Sequence, residues 1–175
     1  MSDLQHEYSP DDDRDYHSVL SDAAYLYGDN VAGGKTREEA ALLAQNSLRD
    51  YGYADNIDID MSEAGDVGTV FNGGHKKKAM LAYKGSSNKY DVIADTALAS
   101  GSINASKFSR LGLMNMAKKA GLALIGKKDR FDRADDLFDN TQTKYGKGNV
   151  GLTGHSLGGA LAVMQGRRSN VSSVS

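Results

Sequence analysis

Val150-Gly151-Leu152-Thr153-Gly154-His155-Ser156-Leu157-Gly158-Gly159-Ala160-Leu161-Ala162-Val163 is the stretch that decides the fold. Its first four residues form a short apolar run of strand type. From just after Ser156 to about Arg167 the chain has the composition of a helix. Strand, sharp turn, helix is the opening of a parallel βα unit, and strands alternate with helices late in the chain. The fold class read from this pattern is α/β, with a mixed, mostly parallel sheet covered by helices.

Working back from that stretch, a helix over about 129–145 carries Phe131, Ala134, Phe138 and Tyr145 along one side and stops at Gly146-Lys147-Gly148. Another long helix is predicted over about 107–125. Lys78 to Tyr83 reads as a mostly buried strand after the turn Asn72-Gly73-Gly74, and shorter strands are predicted over 57–61 and 67–71. Thr36 and Glu39 have the spacing of a capping box, ahead of an apolar stripe at Ala40, Leu43, Ala44 and Leu48. Leu20, Ala23, Ala24 and Tyr27 mark a helix before it. Residues 1–17 are dense in aspartate and read as a flexible acidic arm, 18–168 as the domain, and 169–175 as a flexible tail.

A chain of 175 residues with a net charge of −2 fits one ordinary globular domain and gives no reason to expect nucleic acid. It has no cysteine, and its four histidines, His6, His17, His75 and His155, lack the spacing of a metal site. No metal or cofactor is expected. The start Met1-Ser2-Asp3-Leu4 lacks the basic and apolar regions of a secretory signal, and no apolar run is long enough to span a bilayer, so the chain reads as soluble.

The six residues from Gly154 to Gly159 fit a specific chemistry. A serine hydroxyl is a poor nucleophile unless it is held at an exposed point, near a base, with donors ready for the charge on the attacked oxygen. In a G-x-S-x-G turn the serine adopts a strained backbone conformation, and glycines two residues before and after it let strand and helix approach. Gly154 and Gly158 take those places, and the amide of Leu157 opens the helix at its positive end. His155 adjoins Ser156, but neighbouring side chains at a sharp turn diverge, so it is read as packing or bonding beneath the turn. The pattern alone is weak, because any glycine-rich chain matches it by chance now and then. The flanking strand and helix supply the context it needs.

Together with Tyr83-Lys84-Gly85-Ser86-Ser87 and Val92-Ile93-Ala94-Asp95, this turn resembles the class 3 lipases, the fungal-lipase-like branch of the α/β-hydrolases. The resemblance implies Ser156 as nucleophile, with the Leu157 N–H and the amide and hydroxyl of Ser86 forming an oxyanion hole. It implies that Asp95 holds the Ser86 hydroxyl, and that the substrate is a lipid or other acyl ester. Lys84 stands where the family has Arg, which keeps the charge but loses a planar fork of donors. Val92 stands where the family's lid carries Trp.

In α/β-hydrolases the acid and histidine of the triad follow the serine, yet the residues after Ser156 include no Asp, Glu or His. The expectation is therefore a hydrolase domain lacking the C-terminal part that carries them. His75, beside Lys76 to Lys78, reads as a surface turn residue. With the fold cut short, the strand before Ser156 is expected to be an edge that a protein partner or a homo-oligomer covers. Three functions stand at this point: a serine esterase or lipase, a non-catalytic lipase-derived structural or binding subunit, and a peripheral membrane module using the basic, apolar segment 107–128.

Overall fold

Ala79-Met80-Leu81-Ala82-Tyr83 has no polar residue, and a strand of that composition needs cover on both faces. It is buried throughout and lies in the middle of the sheet. The computed structural model describes residues 12–53, 57–73, 79–85, 130–171 and 173–174. In chain order the elements are α1 (Asp12–Ala32), α2 (Arg37–Asp50), β1 (Asp58–Ile59), β2 (Gly68–Asn72) and β3 (Ala79–Tyr83). They continue with α3 (Arg130–Tyr145), β4 (Val150–Gly154), α4 (Leu157–Ser169) and β5 (Ser173–Val174).

The strands pair in the order β1-β2-β3-β4-β5. β1, β2 and β3 are antiparallel, with Gly68 opposite Tyr83 and Asn72 opposite Ala79. β3, β4 and β5 are parallel, with Tyr83 beside Gly154. The sheet is thus mixed as expected, but half of its pairings are antiparallel rather than a minority. One face carries Phe71, Met80 and Ala82 against Leu20, Ala24 and Tyr27 of α1 and Ala44 and Leu48 of α2. The other carries Val70, Leu81, Tyr83 and Leu152 against Ala134 and Phe138 of α3 and Leu161 of α4. Helices on both faces explain why β2, β3 and β4 are buried along most of their length rather than on alternate residues.

Local signals place the ends of several elements. The Thr36 hydroxyl accepts the Glu39 N–H at 3.1 Å while the Glu39 carboxylate accepts the Thr36 N–H at 3.0 Å, which is the predicted capping box. α4 ends at Asn170, whose left-handed φ of 53° turns the chain back toward the sheet.

Three expectations need correction. The acidic run does not stay an arm to residue 17, because α1 already begins at Asp12, and acidic residues suit the positive end of a helix. Residues 1–11 lie outside the described residues. The tail does not stay free from 169, because α4 includes Ser169 and Ser173–Val174 pair with Leu152 and Thr153 of β4. β4 consequently has a neighbour on each side and is not the edge of the sheet.

Asp60, just after β1, ties that edge to the end of α3. Its carboxylate accepts Tyr145 O–H at 2.7 Å, Lys144 Nζ–H at 2.6 Å and Ser62 O–H at 2.7 Å, with its side chain only 8% exposed. Burial alone would raise its pKa, but the bonds from Lys144, Tyr145 and Ser62 outweigh it and hold the carboxyl below its ordinary value. Burial and the Asp60 charge together push the Tyr145 phenol up, so it stays a donor. Asp60→Asn is expected to cost about 1.5 kcal/mol at neutral pH, through loss of charge-assisted bonds. Because the folded pKa is depressed, that stabilisation is complete above the unfolded value near about 3.9 and is lost as pH falls through the folded one. Denaturant midpoints of wild type and variant should converge below that value; a constant gap down to strong acid would contradict the assignment.

No helix among the described residues is long and apolar enough to cross a membrane. The segment 107–128, read from sequence as basic and apolar, lies outside the described residues.

Candidate functional site

β4 delivers the chain to the turn at its C-terminal end, and α4 carries it away. Ser156 sits between them with φ 62° and ψ −127°, one of two non-glycine residues at positive φ among those described. The Gly158 N–H donates to the His155 carbonyl at 3.0 Å, closing a four-residue turn, and the Ala160 N–H donates to the Ser156 carbonyl at 3.1 Å, starting the helix. Those Ser156 angles belong to the second position of a type II′ turn, which glycine normally fills. A serine held there costs about 1–3 kcal/mol in backbone strain.

Serine is a favoured residue at a helix N-cap because its hydroxyl can accept one of the helix's free amides. Ser156 is the N-cap of α4 and makes no such bond. Its Oγ is buried, where the turn motif leads one to expect an exposed hydroxyl, and it has no hydrogen-bond partner among the described residues. Leu157, the first residue of α4, contributes an amide that has no acceptor within the helix, at the positive end of the helix dipole. The arrangement sets the Ser156 hydroxyl at the start of α4, next in the chain to the Leu157 amide.

The glycine spacing has a steric origin. A Cβ on Gly154 would run into the Gly158 carbonyl and lie 2.9 Å from the Gly159 nitrogen. A Cβ on Gly158 would run into the Tyr83 carbonyl and lie 3.0 Å from the Gly85 nitrogen. Gly154 therefore lets the turn close on itself, whereas Gly158 lets the first turn of α4 dock on the end of β3. That docking, together with the Tyr83–Gly154 register, brings the exit of β3 alongside Ser156. Gly159 is buried in the same first turn.

Of the other residues singled out from sequence, His155 is exposed, with its ring edge-on to Tyr25 at 6.3 Å between centroids. It does not bond the Ser156 hydroxyl. Gly85 is described and lies beside the turn, but Ser86, Asp95, Val92 and His75 lie outside the described residues. Lys84 is buried at the end of β3, and its ammonium donates to the Asp29 carboxylate of α1 at 2.5 Å. Among the described residues no cluster of three His, Asp or Glu is placed to hold a metal ion.

Two residues near the site were not found from sequence. Asp29 and Tyr25, both on α1, lie 55 and 130 positions from their partners Lys84 and His155, and no local pattern links them. The one available signal is that Tyr25 is a large aromatic residue off the apolar stripe of its own helix.

No curated protein and no solved structure matches the chain at a significant level. The sequence model of the family described as Lipase (class 3) matches residues 80–168, from β3 through the turn at Ser156 to the end of α4, a little over half of the chain. The chain belongs to the class 3 lipase family.

Proposed function

We propose that this chain is a lipase-like serine hydrolase that cleaves a carboxylic ester of a lipid-like substrate through an acyl-serine intermediate. The observation that carries this reading is the Ser156 conformation, with φ 62° and a buried hydroxyl that leaves its own helix uncapped. A residue strained in this way and withheld from its default bond suits a task other than folding. Family membership supports a lipid-like ester as the substrate class.

In this reading Ser156 Oγ attacks the ester carbonyl carbon, its proton passes to a base and then to the departing alcohol, and water later releases the acid and regenerates the serine. The Leu157 N–H, with the amide and hydroxyl of Ser86, takes the charge that develops on the carbonyl oxygen, and Asp95 holds Ser86 in place. The base is the part that the described residues leave unassigned, since the Ser156 hydroxyl has no partner among them. Loss of the base from a serine hydrolase leaves some acceleration from the oxyanion hole and substrate binding, so in this reading slow turnover persists even where no base is engaged.

That same unpartnered hydroxyl favours a second reading, a non-catalytic lipase-derived subunit that binds a protein partner. Hydrolysis of a p-nitrophenyl ester by wild type and Ser156→Ala, with the oligomeric state measured on the same samples, separates the two. The enzyme reading expects a measurable wild-type rate that falls to the buffer background in the variant. Equal rates would remove Ser156 from the mechanism, and a partner-bound chain without turnover would favour the subunit.

A further inference from the structure

α1 crosses the same end of the sheet as the Ser156 turn, and one of its side chains enters the gap between that turn and the exit of β3. Tyr25 is half-buried there. Its hydroxyl donates to the His155 carbonyl at 3.5 Å. It also fills the space beside Gly85, where an added Cβ would run into the hydroxyl and lie 3.1 Å from the phenol Cζ. The ring packs edge-on against His155, with an interplanar angle of 62°. One turn further along α1, the Lys84–Asp29 ion pair fastens the same helix to the end of β3.

The His155 carbonyl therefore takes two donors, the Tyr25 hydroxyl and the Gly158 amide. Its carbon is bonded to the Ser156 nitrogen and is the atom from which Ser156 φ is measured. Fixing the plane of this peptide fixes one side of the torsion whose strained value is 62°, and the start of α4 holds the other. The Gly158 bond lies within the turn and moves with it. The Tyr25 bond is external, and it references the peptide to α1 and to the β3 exit together.

We propose that Tyr25 is a positioning residue for Ser156, holding the His155–Ser156 peptide so that the serine keeps its orientation relative to the Gly85 end of β3. The kinetic consequence rests on the ester-hydrolase reading; the structural one does not. Tyr25→Phe keeps the ring and the packing and removes only the hydroxyl.

The test follows labelling of Ser156 by a fluorophosphonate as a function of probe concentration, and amide hydrogen exchange at Leu157 and Gly158, on the full chain. Tyr25→Phe should lower the limiting labelling rate about twofold to threefold, the low end of the range for one net hydrogen bond because this bond is long, without moving the half-saturating concentration. Exchange at the two amides should speed up by a similar factor while the thermal midpoint stays in place. Unchanged labelling and exchange would overturn the proposal, and so would losses that merely track a lowered thermal midpoint. A wild type that does not label at all defeats the ester-hydrolase reading instead, and the exchange comparison then decides on Tyr25: unchanged exchange in the variant overturns it.

Discussion

Gly158→Ala is expected to lower the thermal midpoint by roughly 6–12 °C, which corresponds to about 3 kcal/mol for a chain of this length. The added methyl would collide with the Tyr83 carbonyl and sit 3.0 Å from the Gly85 nitrogen. These are backbone atoms at the end of a strand paired on both sides, so they cannot swing away as a flexible side chain would. Relief requires that the first turn of α4 lift from β3, which separates Ser156 from the β3 exit and removes any activity as well. Gly65→Ala is the internal control, because a Cβ there meets nothing within 4 Å. Its midpoint should stay close to wild type, and a loss equal to that of Gly158→Ala would show that the collision is not the cause.

Ser156→Gly is expected to abolish ester hydrolysis while making the protein more stable by about 1 kcal/mol, the difference between relieved backbone strain and the extra chain entropy of glycine. Ser156→Ala should abolish hydrolysis equally but keep the strain, since alanine is no better suited to φ 62° than serine. The two variants thus separate the chemistry of the hydroxyl from the conformation that presents it. Thermal unfolding should rank glycine above both serine and alanine at this position. A glycine variant less stable than the alanine variant would mean that the turn is not strained in solution.

What could be read from the sequence was local. The apolar run at 150–153, the glycines around Ser156 and the helix after it are all set by residues within a few positions of one another, and they appear as β4, a tight turn and α4. The Thr36–Glu39 cap was legible for the same reason. Composition misled at the two ends: aspartates read as a solvated arm continue into the first turn of α1, and a serine-rich tail is drawn into the sheet as β5 by pairing with β4. A two-residue strand has no sequence signature, because the main-chain bonds of its neighbour create it. Contacts across the fold were equally hidden. Asp60 and Tyr145 meet across 85 positions, and Tyr25 reaches His155 across 130.

The spacing of Gly154 and Gly158 was legible, but its cause was only half so. Gly154 serves the turn, as the motif implies; Gly158 answers to Tyr83, a residue on a different strand. The constraint at 158 is therefore one of assembly, and it joins two of the three stretches of sequence that carry the family resemblance.

The most direct test of the central claim, that Ser156 is a nucleophile presented by a strained turn, is the intact mass of the chain after incubation with a fluorophosphonate. One covalent adduct is predicted, mapping to the peptide that contains Ser156 and absent from Ser156→Ala. An unmodified wild type, or an adduct that persists in the alanine variant, would contradict it.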